Sequence, residues 1–398
     1  MADTIGSNIQ YRVIDADGHG WEVPLRRWDD FLPEPYRPFR EKVWQTVLDA
    51  NGNVRQLFDG KLFMANQTGP VPDEDIVGRR RYSTSNVKVT KVLPGTINPA
   101  IGQERASTPR LRLEDMDQEG VDVAVLYPSM GLVFLATEDL ELATVLCRAE
   151  NDFMGDFATA DPRRLRPAAT LPLVKPTKEC VGEAVRELTR AVTHRGCVAA
   201  MVPPSVRKTN LDDPIFFPLY EEAQRLGVPI GVHWSGGTHL PGIEDRLRPD
   251  QFFLGHSLGF PVENMIALGS VVCSGLPDKF PRLRWGFLES GIGWVYYWME
   301  RLDEHYEKTP EMVPDMKRWP REYMTSGLIY YSCDPDERSL PFAVEMLGAD
   351  LIMYASDYPH WDGRFPDTVA PIRDNPALTP EQKRKILGDN ALRFYALE

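Results

Sequence analysis

The chain has 398 residues, 42% of them hydrophobic, enough for the core of one large α/β barrel or two ordinary domains. Its formal net charge is −13 and no basic run is longer than the three residues of Arg79–Arg81, which disfavours a nucleic-acid or anionic-membrane surface. No window approaches the roughly 18 consecutive apolar residues of a membrane span, and residues 1–4 carry no leader-like pattern. We therefore expect a cytoplasmic globular protein that binds neither nucleic acid nor membrane.

The first candidate site lies in Ile14–Glu22, a short β-type run. Residues two apart in a strand share a face, so Asp17 and His19 would project together, and Glu22 would approach from the following loop. A carboxylate and an imidazole are good ligands for zinc, manganese or iron. The alternative is structural, with Asp17 capping a turn and His19 packed in the core.

Residues 23–108 form a long stretch rich in proline, glycine and charge, without a sustained hydrophobic period. An irregular insertion of this length inside a compact enzyme is typically a lid or a binding loop. We expect it to cap the site that follows the first strand. Within it, the Asn51–Gly52 pair between two apolar-bearing runs predicts a hairpin over 44–58.

From Leu111 onward, apolar runs typical of buried parallel strands alternate with stretches of helical period. Glycines follow several of the predicted helices, as helix ends require. Eight strand candidates result: Ile14–Glu22, Val121–Tyr127, Arg166–Leu171, Cys197–Val202, Val228–His233, Leu283–Glu289, Gly327–Ser332 and Leu351–Asp357. The alternation predicts an α/β fold, a (β/α)8 TIM-type barrel over residues 1–398 with the insertion after its first strand.

Four of these strands end in ligand-type residues, and catalytic groups of such barrels lie at the carboxyl ends of the strands. Asp17 and His19 belong to the first strand, His233 to the fifth, Glu289 to the sixth and Asp357 to the eighth. We expect them to converge on a divalent cation. Structural roles remain open for single residues, since Asp357 also suits a turn cap and Glu289 a helix cap.

The five cysteines are scattered without a C-x-x-C pair, which favours reduced thiols over disulfides. Cys333, at a predicted strand end, leaves a catalytic thiol as an alternative.

The motifs together make the chain similar to the amidohydrolase superfamily, in the branch that includes metal-dependent decarboxylases of aminocarboxymuconate semialdehyde and hydroxybenzoates. The matching segments are Val13–His19, Pro229–Trp234, Phe280–Gly291, Ala355–His360 and Ile386–Ala391. The resemblance implies a distorted barrel, often dimeric, with a metal held by Asp17, His19, His233 and Asp357. These decarboxylases typically carry an acid/base histidine where this chain has Glu289.

A glutamate at this position transfers protons if burial raises its pKa, or binds the metal if it is ionised. His256, in a predicted glycine-flanked loop after the fifth strand, is a further candidate ligand, with a substrate contact or an exposed residue as the alternatives. Seven groups are candidate ligands, more than one zinc needs, so one or two ions (Zn, Mn or Fe) are expected: Asp17, His19, Glu22, His233, His256, Glu289 and Asp357. Glu289, His256 and Asp357 are the candidate catalytic residues.

Three functions fit this pattern. The first is a metal-dependent hydrolase or decarboxylase-type lyase acting on a small organic carboxylate or carbonyl compound. The second is a non-haem di-iron oxygenase on the same barrel, because imidazoles mixed with carboxylates also suit iron. The third, a binding protein that retains the barrel, conflicts with burying so many carboxylates without a cation. We also expect a homodimer, by analogy with relatives of this branch.

Overall fold

A computed structural model of the chain describes residues 11–22, 28–39, 44–48, 54–58, 61–62, 98, 100–235 and 252–398. Its centre is a sheet of eight parallel strands that follow one another in chain order. Barrel strands one to eight are Ile14–His19, Val123–Tyr127, Leu165–Ala169, Ala199–Val202, Ile230–Val232, Trp285–Phe287, Ile329–Cys333 and Ile352–Tyr354. The predicted barrel is confirmed, and each strand is shorter than its predicted run.

Two backbone hydrogen bonds join the first strand to the segment that follows the eighth. The Asp357 N–H donates to the Asp17 carbonyl at 3.0 Å, and the His19 N–H donates to the Tyr358 carbonyl at 2.6 Å. These bonds bring the two ends of the sheet together. They also place the residues after strand eight directly beside Asp17 and His19.

Helices surround the strands, and their ends follow the sequence signals. Thr379 and Gln382 form a capping box, and Gly120, Gly196 and Gly227 end their helices in the left-handed conformation. The α-helices are Gly102–Ser107, Pro109–Glu119, Leu140–Ala158, Lys178–Arg195, Phe217–Leu226, Phe252–Cys273, Leu276–Lys279, Gly293–Lys308, Pro320–Met324, Leu340–Leu347, Ala370–Arg373, Pro380–Arg384 and Asn390–Tyr395.

One helix is much longer than its sequence pattern predicts. The sequence pattern predicts a helix over Glu263–Val272, and in the structure this segment is part of the helix Phe252–Cys273, which contains Pro261 in its interior. Glycines and a proline at 255, 259 and 261 conceal the helical period, because these residues normally interrupt helices. His256 therefore lies on a helix, and its expected place in a loop is wrong.

The insertion contains a small antiparallel sheet. Trp44–Leu48 pairs with Val54–Phe58, as the hairpin prediction requires, and Lys61–Leu62 adds a short third strand. The Asn51–Gly52 turn itself lies outside the described residues. Near the end of the insertion, the Asn98 N–H donates to the Pro359 carbonyl at 2.9 Å, so this part of the insertion contacts the loop after strand eight.

Close packing inside the barrel depends on glycine at one position of the fifth strand. A Cβ atom built on Gly231 would lie 2.1 Å from the Tyr127 hydroxyl oxygen. The Tyr127 ring in turn stacks on the His233 imidazole, with ring centroids 5.3 Å apart. Because Gly231 has no side chain, the buried Tyr127 ring can lie against His233, two residues further along the chain.

All five cysteines are free thiols, as predicted. Burial raises the pKa of the Cys333 thiol well above its usual range, so the alternative of a reactive thiolate at this strand end is not supported. Among the helices of the described ranges, none combines the length and apolarity needed to cross a bilayer.

Candidate metal centre

The strand ends bring the predicted ligands together in two groups that share His19. One group contains Asp17, His19 and His233, and the other contains His19, Glu289, Asp357 and His360. Within each group, one ligand atom from every residue lies within 4.8 Å of the others. Side chains from strands one, five, six and eight, which are far apart in sequence, therefore face one small space.

The distances between these atoms match those of a shared coordination sphere. The Nε2 atom of His19 lies 3.3 Å from the Asp357 Oδ1 atom and 3.8 Å from the Asp17 Oδ1 atom. The Nε2 atom of His233 lies 3.7 Å from the Asp17 Oδ1 atom and 3.2 Å from the Glu289 Oε2 atom. Ligands bound at about 2.1 Å to one ion lie roughly 3 to 4 Å apart, so these separations leave room for a cation.

Backbone carbonyls orient both buried imidazoles. The Nδ1 atom of His19 lies 2.9 Å from the Pro128 carbonyl oxygen, and that of His233 lies 2.8 Å from the Trp234 carbonyl oxygen. A carbonyl only accepts, so each Nδ1 carries the proton and donates. The Nε2 lone pair of each ring is consequently directed at the cluster, which is the arrangement of a metal-binding histidine held by a second hydrogen bond.

Burial sets the charge of these groups. It lowers the pKa of His19 to about 4 and that of His233 to about 3, so both imidazoles are neutral near pH 7 and available as ligands. Burial, with Asp357 nearby, raises the pKa of Asp17 well above its usual range. For Asp357, burial opposes ionisation, but His360 and His19 hold its pKa below the usual range.

Two site carboxylates sit on backbone in the left-handed region. The φ angle is +53° at both Glu289 and Asp357, a conformation that costs a non-glycine residue about 1 kcal/mol or more. The Glu289 N–H donates to the Ser332 hydroxyl oxygen at 3.1 Å, and the Asp357 N–H is held by Asp17. The regular strand ends before each residue, and the turn directs the carboxylate into the shared space.

The cluster contains buried polar atoms that lack hydrogen-bond partners among the described residues. Four of these atoms are Asp17 Oδ1, His19 Nε2, His233 Nε2 and Glu289 Oε2. Leaving one such atom unpaired costs about 1–3 kcal/mol, and more for a charged group. Because all four face the same space and are nitrogen and oxygen donors, the residues fit a divalent cation.

Two of the seven predicted ligands are not brought into these groups. Both carboxylate oxygens of Glu22 accept backbone N–H groups, one from Ser129 at 2.9 Å and one from Met130 at 3.0 Å. Glu22 is therefore oriented toward the loop after strand two rather than toward the shared space. His256 Nε2 lies 3.7 Å from the Asp362 Oδ2 atom, at the cavity wall.

His360 also belongs to the cluster, although it was not among the seven predicted ligands. Its Nδ1 atom lies 2.7 Å from the Asp357 Oδ1 atom, and its Nε2 atom lies 3.0 Å from the Ser129 hydroxyl oxygen. The Ser129 hydroxyl donates to the Gly20 carbonyl at 2.7 Å, so it accepts from His360. The sequence signal for His360 was its position three residues after Asp357. No sequence signal indicated Ser129.

A cavity of about 290 Å³ opens from this cluster. Aromatic rings form part of one side, where His256 packs against Phe260 with ring centroids 4.7 Å apart. The lining also includes Asp334, Asp362 and Arg364, which the sequence pattern did not indicate. The cavity is large enough for a small organic molecule in contact with the cluster.

Comparison with known proteins agrees with this geometry. A family model described as amidohydrolase matches residues 14–397. The chain is 27% identical over 296 residues to the 2-amino-3-carboxymuconate-6-semialdehyde decarboxylase of Dictyostelium discoideum, covering 73% of this chain and 77% of that relative.

Solved structures share the fold. An amidohydrolase from Mycobacterium avium subsp. paratuberculosis gives a TM-score of 0.72 at 20% identity and covers 98% of this chain and 99% of its own. A second structure is a 5-carboxyvanillate decarboxylase from Novosphingobium aromaticivorans complexed with manganese and 4-hydroxy-3-methoxy-5-nitrobenzoic acid. It gives a TM-score of 0.59 at 25% identity and covers 74% of this chain and 82% of its own. The resemblance found in the motifs is confirmed: the chain belongs to the amidohydrolase family, in the branch that contains the aminocarboxymuconate-semialdehyde decarboxylases.

Proposed function

We propose that the protein is a divalent-metal-dependent decarboxylase of a small organic carboxylate. The observation that carries this proposal is the convergence of unpaired donor atoms of Asp17, His19, His233 and Glu289 on one space beside a cavity. The relatives add support, since the Dictyostelium protein is named a decarboxylase and the Novosphingobium decarboxylase contains manganese. Manganese or zinc is the proposed cofactor.

Asp17, His19, His233 and Asp357 would hold the cation. A bound divalent ion polarises a substrate carboxylate or carbonyl and lowers the pKa of bound water. The two neutral imidazoles bind without adding charge, while the carboxylates offset the charge of the ion. The aromatic side of the cavity, near His256 and Phe260, would orient a flat substrate against the cluster.

Glu289 is the proposed proton donor. Burial, together with Asp357 and Asp17, raises the pKa of Glu289 well above its usual range, which favours a proton on this carboxyl group. When the C–C bond to the departing carboxylate breaks, its electron pair remains on the substrate carbon. Glu289 would give that carbon its proton as CO2 leaves, in the role of the acid/base histidine of related decarboxylases.

The insertion is proposed to cover the cavity. Besides the Asn98 backbone bond, the Asn98 side-chain amide donates to the Gly363 carbonyl at 2.9 Å, and Gly363 lines the cavity. Ile101 and Ala106 pack with Trp21 and Tyr358 beside the site. A cover that excludes water strengthens electrostatic interactions within the pocket.

The di-iron oxygenase alternative gains no support, since the relatives described above are named amidohydrolases or decarboxylases.

Metal removal tests this function. We expect protein loaded with Mn2+ to release CO2 from at least one acid in a panel of hydroxybenzoates, 5-carboxyvanillate and 2-amino-3-carboxymuconate 6-semialdehyde. Chelation should lower the rate at least about 100-fold, the equivalent of roughly 3 kcal/mol of barrier, and added Mn2+ should restore it. Manometry or product chromatography measures the release. A rate that survives complete chelation would refute the proposal, as would hydrolysis of carbonyl substrates without any CO2.

A further inference from the structure

Asp15 is a fully buried residue two positions before Asp17 on the same strand, and its carboxylate belongs to neither ligand group. Its Oδ1 atom accepts the Ser356 N–H at 2.9 Å, and its Oδ2 atom accepts the Ser356 hydroxyl at 2.5 Å. Ser356 directly precedes Asp357. A side chain of strand one therefore holds the residue next to a proposed metal ligand of strand eight.

Three consecutive backbone N–H groups are fixed at this point. The Ser356 N–H binds the Asp15 carboxylate, the Asp357 N–H binds the Asp17 carbonyl, and the Tyr358 N–H donates to the Ser356 hydroxyl oxygen at 3.0 Å. The left-handed backbone of Asp357 lies in the middle of this run. Such a conformation persists only when surrounding contacts determine it, and these three bonds supply them.

Arg112 completes the arrangement from the helix Pro109–Glu119. Its Nη2 atom lies 3.6 Å from the Asp15 Oδ2 atom, and its guanidinium lies over the Tyr358 ring, 3.6 Å from the centroid. Gly18 leaves the space for this pair, because a Cβ atom there would lie 2.5 Å from Asp15 Oδ2 and 2.8 Å from Arg112 Nη2. The charge of buried Asp15 is thus balanced away from the metal centre.

We propose that Asp15 and Ser356 are positioning residues that hold Asp357 in its metal-binding orientation. The proposal rests on the proposed metal centre but not on the reaction performed there. A purely structural role would lower the stability of the protein and leave the metal affinity of the folded fraction unchanged. A positioning role predicts weaker metal binding at temperatures where the protein is fully folded.

The test compares Ser356→Ala and Asp15→Asn with Thr368→Val. Ser356→Ala removes the hydroxyl but keeps the Asp15 and Arg112 pair, so folding is expected even if Asp15→Asn does not fold. Thr368 is the control, since its hydroxyl accepts from Tyr354 at 2.7 Å and donates to Glu119 at 2.7 Å, both away from the ligands. Thermal melts of the metal-free proteins measure the stability lost in each variant.

Mn2+ titration by calorimetry then measures the dissociation constant. We expect a rise of about 10- to 100-fold for Ser356→Ala, the range typical of residues that orient metal ligands, and no change for Thr368→Val. A crystal structure of the metal-free Ser356→Ala protein should show Asp357 turned from the cluster. Affinity within twofold of wild type in folded Ser356→Ala protein would overturn this inference. Wild-type protein that binds no Mn2+ would instead refute the metal centre itself.

Discussion

His233→Ala should remove both the metal and the activity. His233 is buried, its Nδ1 atom is fixed by the Trp234 carbonyl, and its Nε2 atom is directed at Asp17 and Glu289. Alanine removes one of four proposed ligands and leaves a gap where the Tyr127 ring stacks. We expect metal affinity to fall by more than about 100-fold, beyond the effect of losing a residue that only orients a ligand.

Metal content after dialysis, measured by inductively coupled plasma mass spectrometry, and turnover check this result together. His194→Ala is the matched control, because His194 is exposed in the last turn of the helix Lys178–Arg195. It should retain wild-type metal and rate. Full occupancy and turnover in the His233→Ala protein would exclude a ligand role for this histidine.

Glu289→Gln should keep the fold and much of the bound metal while losing turnover. Glutamine has nearly the same shape, and its backbone N–H still donates to Ser332. It carries no transferable proton, so kcat should fall by about 10² to 10⁴, the usual contribution of general acid catalysis. KM should change little, since the substrate would be positioned by the cation and the cavity walls.

Steady-state kinetics and metal analysis of the same preparation separate this role from ligation. Glu345→Gln, on an exposed surface of the helix Leu340–Leu347, controls for the substitution itself. Loss of the metal in Glu289→Gln would assign Glu289 to the ligands rather than to proton transfer. Wild-type kcat would remove it from the mechanism.

The barrel and most residues of the cluster at its strand ends could be predicted from sequence, because buried strands have a simple signal. Continuous apolar runs ending in Asp, His or Glu located strands five, six and eight, and the barrel topology then required those ends to meet. His233 and Asp357 lie 124 positions apart in the chain, yet strand order alone indicated that they converge.

Local backbone geometry was not predictable in the same way. Glu289 and Asp357 adopt left-handed φ angles that their residue types do not predict, since glycine is the usual residue in this conformation. The contact between Asp15 and Ser356 spans 341 positions and depends on which side chains the closed barrel brings together. The contact between Ser129 and His360 likewise depends on which side chains the closed barrel brings together.

Glu22 shows the limit of spacing arguments. Its position three residues after His19 was compatible with a ligand, and its chemistry was suitable. The structure directs both oxygens to the N–H groups of Ser129 and Met130, because the loop after strand two offers these donors close by. Sequence spacing indicates which residues lie near a site but not which partner each one takes.

We expect one cation to be shared by side chains from strands one, five and eight. Anomalous X-ray diffraction from a crystal of the Mn2+-loaded protein locates such an ion and identifies the atoms that bind it. We expect a manganese peak at about 2.0 to 2.3 Å from atoms of Asp17, His19, His233 and Asp357. An ordered site without a peak, or a peak bound by other residues, would contradict it.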